Sequence, residues 1–351
     1  MPTSKDVARL AGVSQSTVSF VVNGRDGVAA ETRARVEAAM AQLQYQPNAG
    51  ARALKEQRTR ALGIVMPFGL TVDRLGVLPF IETFTRRARQ HDHDVLLVTA
   101  DEGPAGLLRL SRQRLCDAIV LMDVVTEDAR VPVAADLDLP VVVVGVPAER
   151  AGLPCVDLDY ELAGRLAVED LVATGHRRVR VLGDPLSLTS YEVGCIRRVQ
   201  RGAAVAALEA GVDCAVVPLP AAGAARSSAA PSSALADVLA GLLAGVRDAE
   251  SPLGLVVPSR QVLTGLLPAL AARGLRPGRD VSVVAQCDDE LAVSVDPPLT
   301  SVSLEGAAVA ERAMDLVFAA LDARAAGGVG GVDRLELVVP RLTRRRSTCV
   351  P

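Results

Sequence analysis

Apolar side chains near the start of the chain recur at three- and four-residue spacings, which predicts three short helices. The first begins at a capping box formed by Thr3 and Asp6 and ends at Gly12. The second covers about 15–22 and the third about 30–43. A short helix, a turn that contains glycine and a second short helix form a helix-turn-helix motif. We therefore expect this part of the chain to be all-α.

From residue 61 the pattern changes to short apolar runs separated by helical patterns, which is typical of parallel sheets covered on both faces. One of the helical patterns, 160–173, has Asp159 as its N-cap residue. Eight apolar runs are many strands for one sheet, so we expect two βα lobes and an α/β fold class. The predicted strands are 62–66, 94–98, 118–122, 141–144, 179–182, 215–217, 255–257 and 281–285.

The composition is that of a packed globular protein, because 50% of the 351 residues are hydrophobic and 23% are charged. The length predicts two or three domains. No apolar run approaches the ~18 residues of a membrane helix, and the N-terminus lacks the layout of a secretory signal. We therefore expect a cytoplasmic protein that has no membrane partner.

Charge is divided unevenly along the chain. Residues 1–60 carry nine Lys and Arg against five Asp and Glu, a net charge of +4, whereas the remainder carries −7 of the total of −3. A basic segment at one end of an acidic chain indicates a polyanionic partner for that segment.

The sequence contains none of the usual catalytic or metal-binding patterns. Its six cysteines are scattered without a CxxC motif, which in a reducing compartment indicates unpaired thiols. The three histidines, His91, His93 and His176, are isolated from other ligand residues, and no HExxH, GxSxG or P-loop motif is present. We therefore predict no catalytic residue, no metal site and no cofactor.

The second predicted helix begins with four polar side chains, Ser14 to Thr17. Short polar groups can bind phosphates or base edges, and the recognition helix of a helix-turn-helix enters the major groove by its N-terminal end. The alternative is an ordinary solvated helix face, and the polar turn alone does not decide between the two.

The resemblance of longer segments to a known family favours the DNA-binding interpretation of this helix. The segments KDVARLAGVSQSTVSFVVNG, VAAETRARVEAAMAQLQYQPN and NAGARAL resemble the headpiece of the LacI/GalR family of bacterial transcription regulators, almost without gaps from Thr3 to Leu54. By this resemblance, Gln15, Ser16 and Phe20 read bases, and Asn48, Ala51 and Leu54 belong to a hinge helix whose leucine enters the minor groove. The resemblance places the phosphate contacts at Thr3, Ser14, Thr17, Ser19, Asn23, Thr32, Tyr45 and Asn48.

Two positions depart from the family pattern. Phe20 stands where many members have arginine, and its phenyl ring has no donors for the guanine contact typical of the family. Ala29 replaces the usual Ser or Thr cap of the third helix, which should weaken that helix by ~1 kcal/mol.

The body of the chain resembles the periplasmic-binding-protein-like core of the same family in the segments VDLDYELAGRLAVEDLVATGHRRVRVLGDP, GRDVSVVAQCDD and DPPLTSVSLEGAAVAERAMDLV. We expect a helix-turn-helix headpiece over 1–46, a hinge helix and linker over 47–60, and an effector-binding and dimerisation core over 61–351. Within the core, the expected division is lobe 1 over about 61–157 and 289–316, and lobe 2 over about 158–288 and 317–345.

Ligands of such two-lobed cores bind between the lobes, at the carboxyl ends of the strands. The family positions that face this cleft are occupied by Phe68, Asp123, Tyr191, Arg197, Arg198, Ser259, Arg260 and Asp288. Each of these residues has an alternative interpretation as an ordinary polar or surface side chain. Sugar-binding members often have Asp where this chain has Gly145, and the chain has few aromatic residues, so the sequence favours an anionic or otherwise unusual effector, or a degenerate pocket.

The patterns together with the resemblance imply a DNA-binding transcription regulator, most simply a repressor, that binds a pseudo-palindromic operator as a homodimer and responds to a small-molecule effector. No leucine heptads follow the core, which favours a dimer over a tetramer. The alternative function is that of a solute-binding protein for transport or sensing, which shares the same core. The effector, the operator and the sign of the response are left open.

Overall fold

A computed structural model describes residues 2–22, 27–45, 58–66, 74–185, 194–219, 233–244, 246, 252–328 and 333–348. The chain divides into two compact units, Met1–Arg60 and Ala61–Pro351. No helix among these described residues is long and apolar enough to cross a membrane.

The described part of the smaller unit consists of the helices α1 (Ser4–Ala11), α2 (Gln15–Val22) and α3 (Ala30–Gln42). They pack around a small core in which Val7, Val18 and Val36 are at most 1% exposed. The capping box predicted for α1 is present, and its C-cap residue Gly12 has a φ of 67°, a left-handed conformation that glycine adopts at no steric cost. The prediction of three helices is confirmed.

In the larger unit, the described strands form two sheets of six strands each. Sheet 1 has the order β11-β5-β4-β3-β1-β2 and is parallel throughout. Its strands are β1 (Ala61–Met66), β2 (Asp94–Thr99), β3 (Ala118–Leu121), β4 (Val141–Val144), β5 (Cys155–Leu158) and β11 (Leu335–Val338).

Sheet 2 has the order β12-β10-β9-β8-β6-β7, and it is parallel except for the pair β10–β12. Its strands are β6 (Arg178–Pro185), β7 (Asp213–Leu219), β8 (Leu253–Val257), β9 (Ser282–Gln286), β10 (Thr300–Val302) and β12 (Leu342–Thr343).

Helices cover both faces of the two sheets, as parallel sheets require. On sheet 1, Ile64 of β1 faces one buried cluster and its neighbour Val65 faces another. The helices of the larger unit are α4 (Arg74–Gln90), α5 (Gly103–Arg112), α6 (Arg130–Ala135), α7 (Tyr160–Ala173), α8 (Gly194–Ala210), α9 (Ser233–Leu243), α10 (Arg260–Ala271), α11 (Asp289–Ser294) and α12 (Gly306–Ala325).

The α/β fold with an N-terminal unit whose described part is all-α is confirmed, but the predicted division of the C-terminal third between the lobes is wrong. The segment 289–316 was expected in lobe 1, yet β10 pairs with β9 in sheet 2. The segment 317–345 was expected in lobe 2, yet β11 pairs with β5 in sheet 1. The physical reason is the long helix α12, whose buried residues, among them Met314 and Val317, belong to the core of sheet 1 and hold this segment there.

Candidate DNA interface and effector cleft

The N-terminus of α2 is fixed by hydroxyl groups. The Thr17 amide donates to Ser14 Oγ at 3.1 Å, so Ser14 is the N-cap residue of α2. Ser14 Oγ also lies 2.7 Å from Ser16 Oγ and 2.8 Å from Thr17 Oγ1. The first turn of α2 therefore presents an ordered set of hydroxyls at a helix N-terminus, where the helix dipole favours anionic groups.

The predicted base-reading residues lie on one side of α2. Gln15, Ser16 and Phe20 are exposed, and Phe20 retains 41% of its accessible surface. Val18 and Val21 are buried against α1 and α3. At about 100° of rotation per residue, the exposed group is centred opposite the buried pair. The structure thus places these three side chains together on the outer face of α2.

The start of α1 lies beside the start of α2, because Gln15 Nε2 donates to Ser4 Oγ at 2.7 Å. Thr3 precedes Ser4, and its backbone amide and hydroxyl both donate to the Asp6 carboxylate, at 2.9 and 2.7 Å. These bonds, the hydroxyl bond first, lower the pKa of Asp6. The candidate phosphate contacts Thr3 and Ser14 therefore lie close to Gln15.

The remaining DNA candidates differ in exposure. Thr17, Ser19, Thr32 and Tyr45 are half-buried. The candidates Asn23, Asn48, Ala51 and Leu54 lie outside the described residues, so the hinge helix stays a prediction from the sequence.

In the larger unit, a buried ion pair joins the lobes near the carboxyl end of β5. Asp157 of β5 lies in sheet 1 and is 7% exposed, whereas Arg198 belongs to α8, whose buried residues pack on sheet 2. Arg198 Nη2 donates to Asp157 Oδ2. The other carboxylate oxygen of Asp157 accepts from the Leu158 amide at 2.9 Å. Burial raises the pKa of Asp157, and the Arg198 guanidinium opposes that rise.

Tyr160 lies beside this pair at the first position of α7. The Arg198 guanidinium carbon lies 5.1 Å from the centre of its ring, within the range of a cation–π contact. Burial raises the pKa of Tyr160 well above its usual range, and the neighbouring Cys195, Asp157 and Asp123 add to the rise. The tyrosine is therefore a neutral hydroxyl that lies among charged groups.

Asp123 follows β3 in a left-handed conformation, with a φ of 52°, which is uncommon outside glycine and better tolerated by Asp and Asn. Arg130 fixes this backbone, because its Nη2 donates to the Asp123 carbonyl oxygen at 2.8 Å and to Asp128 Oδ2 at 2.7 Å. Burial opposes the ionisation of Asp128, but the hydrogen bonds from Arg130 outweigh it and lower its pKa. The Asp128 carboxylate therefore neutralises Arg130.

At the ends of β8 and β9, the structure brings Arg260 to Asp288 as an ion pair. Asp288 is also the N-cap residue of α11, where its Oδ1 accepts from the Leu291 amide at 2.8 Å. Ser259 is the N-cap residue of α10 and is half-buried. The three predicted residues Ser259, Arg260 and Asp288 therefore follow the neighbouring parallel strands β8 and β9.

The structure thus joins some of the predicted cleft residues and separates others. Asp123 and Arg198 are both neighbours of Tyr160. Arg197 is exposed, about 100° around α8 from Arg198. Phe68 and Tyr191 lie outside the described residues.

Sequence reasoning missed Asp157 and Tyr160. A signal for Asp157 was present, because it is a carboxylate within the apolar strand CVDL, and a buried charge needs a partner. Its partner Arg198 lies 41 residues along the chain, so only the fold joins the two.

The buried cysteines are not activated thiols. Burial raises the pKa of Cys116 to about 11 and the pKa values of Cys155 and Cys287 to about 12. Within the described ranges, no group of three His, Cys, Asp or Glu side chains is placed to hold a metal ion.

Three family models match the chain. Residues 3–48 match the model of bacterial regulatory proteins of the lacI family, and residues 79–218 match that of periplasmic binding proteins and the sugar-binding domain of the LacI family. Residues 168–348, more than half of the chain, match the periplasmic binding protein-like domain. The chain belongs to the LacI family.

Similar proteins support the assignment over the full length. The lactose operon repressor of Escherichia coli (strain K12) is 27% identical over 357 residues, which cover 99% of this chain and 91% of that repressor. Catabolite control protein A of Priestia megaterium is 26% identical over 310 residues, 86% of either chain. A crystal structure of the lac repressor bound to ONPG in the repressed state is 26% identical, covers 99% of both chains and has a TM-score of 0.78.

These findings confirm that this LacI-family chain is a DNA-binding transcription regulator. The matched lacI-family segment contains the helix-turn-helix, which decides against a solute-binding protein that has only the core. The relatives named above are regulators, and the two-lobed core is the part of the fold that they share with binding proteins.

Proposed function

We propose that this LacI-family regulator is a repressor that binds a pseudo-palindromic operator as a homodimer. The observation that carries the proposal is the exposed face of α2, where Gln15, Ser16 and Phe20 lie together beside a hydroxyl-lined helix N-terminus. Two copies of a recognition helix related by a dyad require two inverted half-sites. The repressor and dimer assignments are supported by the likeness to the lactose operon repressor.

The effector would bind in the cleft where the strands of both lobes end, near Asp123, Arg198, Ser259 and Arg260. Arg130, Arg198 and Arg260 are each matched by a carboxylate within the protein. The cleft therefore supports an uncharged polar effector better than the anionic effector, one of the alternatives that the sequence left open. A solved relative, the regulator CelR, is in complex with cellobiose, which has this chemistry.

The effector would act by shifting the orientation of the two lobes. A ligand changes an equilibrium only through its different affinity for the two states, so an effector that bridges both lobes favours the orientation in which its contacts are complete. That orientation would set the spacing of the two headpieces and hence the affinity for the operator. We infer that the protein works in the cytoplasm, where the operator is.

A mobility-shift assay on the DNA upstream of its own gene tests the proposal. The full-length protein should shift this DNA in the presence of competing non-specific DNA. Gln15→Ala should weaken the specific complex by about tenfold or more, because a lost base contact costs ~1–3 kcal/mol. Gln42→Ala, at an exposed position of α3, is the matched control and should bind as the wild type does. Equal affinity of Gln15→Ala and wild type for the specific site would overturn the base-reading role.

A further inference from the structure

The contact between the lobes at the start of α8 has a function of its own. We propose that Asp157 and Arg198 are positioning residues that hold the two lobes in a defined orientation, through which effector binding is transmitted. This use of the contact rests on the proposed function above, whereas the contact itself is tested below without operator or effector.

The ion pair is suited to hold one discrete arrangement. The side chain of Asp157 is 10% exposed and that of Arg198 is 17% exposed, so both charges are largely desolvated and each needs the other. Asp157 is fixed from the lobe 1 side by the Leu158 amide, and Arg198 is fixed from the lobe 2 side, where its Nε donates to the Gly194 carbonyl oxygen at 3.3 Å. Because each partner is anchored in its own lobe, the pair defines the distance between the lobes at this point.

A second contact lies one helical turn away. A methyl group on Gly194 would lie 3.6 Å from the carbonyl oxygen of Val146 and 3.7 Å from Thr126 Oγ1, so the first residue of α8 faces two segments of lobe 1. These segments are tied together, because the Ala148 amide donates to the Thr126 carbonyl oxygen at 2.9 Å. The first turn of α8 is thus held against lobe 1 at both of its ends.

The pair also faces the cleft. Arg198 lies over the Tyr160 ring, and the charge of Asp123 contributes to the raised pKa of Tyr160. An effector that contacts Tyr160 or Asp123 would alter the surroundings of the pair. Asp157 and Arg198 are therefore placed where an effector bound in the cleft can change the orientation of the two lobes.

Hydrogen exchange of the full-length protein, followed by mass spectrometry, tests this role. In Asp157→Asn, amides of 145–148, 155–160 and 194–199 should exchange about tenfold faster or more, because a separated buried pair leaves Arg198 uncompensated. Arg198→Lys keeps the charge but loses the Nε bond to the Gly194 carbonyl oxygen and the planar contact with Tyr160, so exchange should rise less than in Asp157→Asn. Glu209→Gln is the matched control, because it breaks the exposed pair Arg165–Glu209, which lies within lobe 2.

A second variant tests the contact without altering a charge. Gly194→Trp should wedge α8 away from lobe 1 and speed exchange in the same three segments, whereas Gly194→Ala should not, because its methyl group has ordinary van der Waals space. Unchanged exchange in those segments in Asp157→Asn or Gly194→Trp would overturn the proposal. Faster exchange that extends equally to β8 and β9 would also overturn it, because that result indicates only a loss of stability. Neither result bears on whether the protein binds an operator.

Discussion

The exposed side chain of Phe20 sets the most specific expectation at the scale of single residues. It has no hydrogen-bonding group, and it lies on the outer face of α2 with 41% of its surface accessible. A phenyl ring in the major groove can contact a thymine methyl group but cannot bind guanine through two hydrogen bonds. The half-site base pair beneath it should therefore prefer T·A or be nearly unselective.

Replacing this residue tests that expectation. Phe20→Arg should introduce a preference for G·C at one half-site position worth ~1–3 kcal/mol, measured by sequencing the DNA that the variant selects from a random pool. Because Phe20 is exposed, the variant should keep the helical circular dichroism of the wild type. A folded variant that selects the wild-type half-site at every position would contradict the base-reading role of Phe20.

His176 predicts a dependence of stability on pH. It is fully buried, and its Nδ1 lies 3.0 Å from the Leu171 carbonyl oxygen. Burial lowers its pKa below the unfolded value of about 6.5, although the bond to Leu171 and the charge of Asp170 oppose the shift. The unfolded chain therefore takes up the proton first as the pH falls.

The direction of the pH dependence follows from this difference between the folded and unfolded pKa values of His176. The stabilisation by neutral His176 is complete above pH ~6.5 and is lost as the pH falls from there toward the lowered folded-state value. Urea titrations of wild type and His176→Gln between pH 7.5 and 5 should show a smaller loss of unfolding free energy in the variant. Identical pH profiles would show that His176 does not titrate on unfolding.

At the residue scale, the sequence named some of the residues that the fold brings together. Asp123 and Arg198 were found from their family positions, and both are neighbours of Tyr160. Asp157 was not found, because its function depends on a partner that the fold supplies. Residues whose chemistry is local can be predicted from local patterns, whereas a pair that joins two lobes cannot.

At the scale of elements, the close contact between α7 and α8 depends on glycine. A methyl group on Gly202 of α8 would lie 1.8 Å from the Glu161 carbonyl oxygen, and one on Gly164 of α7 would lie 2.0 Å from the Val199 carbonyl oxygen. Backbone meets backbone at both positions, so neither contact can yield by a side-chain rotation. These glycines let the two helices pack closely on sheet 2.

Gly202→Ala should therefore force the helices apart and lower the free energy of unfolding by ~1–3 kcal/mol or more, measured by urea titration. Gly241→Ala is the matched control, because a methyl group on Gly241 of α9 would meet no atom within 4 Å. That control should raise stability by ~0.5–1 kcal/mol through helix propensity. Equal effects of the two substitutions would contradict the close-packing account.

The elements themselves were predictable where the apolar pattern was long. The helix over 160–173 was predicted with its N-cap, and the structure has α7 as Tyr160–Ala173 with Asp159 accepting from the Leu162 amide. The strands β5, β10, β11 and β12 were missed, because each is two to four residues long and includes a polar or charged residue, unlike the equally short but wholly apolar β3 and β4. Their periodicity is too short to show in the sequence.

At the scale of the whole molecule, the course of the chain between the lobes was the least predictable feature. The chain leaves sheet 1 after β5, returns to it with α12 and β11, and ends with β12 in sheet 2. A family resemblance predicts the two lobes, but the crossing points depend on which core accepts each face of α12. The same crossings place Asp157 and Arg198 in different lobes, so the lobe contact at α8 follows from the topology.

Selection of bound sequences from random DNA by the purified full-length protein tests the central claim most directly. A dimeric LacI-family repressor that reads bases with Gln15, Ser16 and Phe20 should enrich one pseudo-palindromic sequence, in which two inverted half-sites are related by a dyad. Enrichment of that sequence is the result that we predict. A pool that stays random, or a selected site without dyad symmetry, would contradict the account.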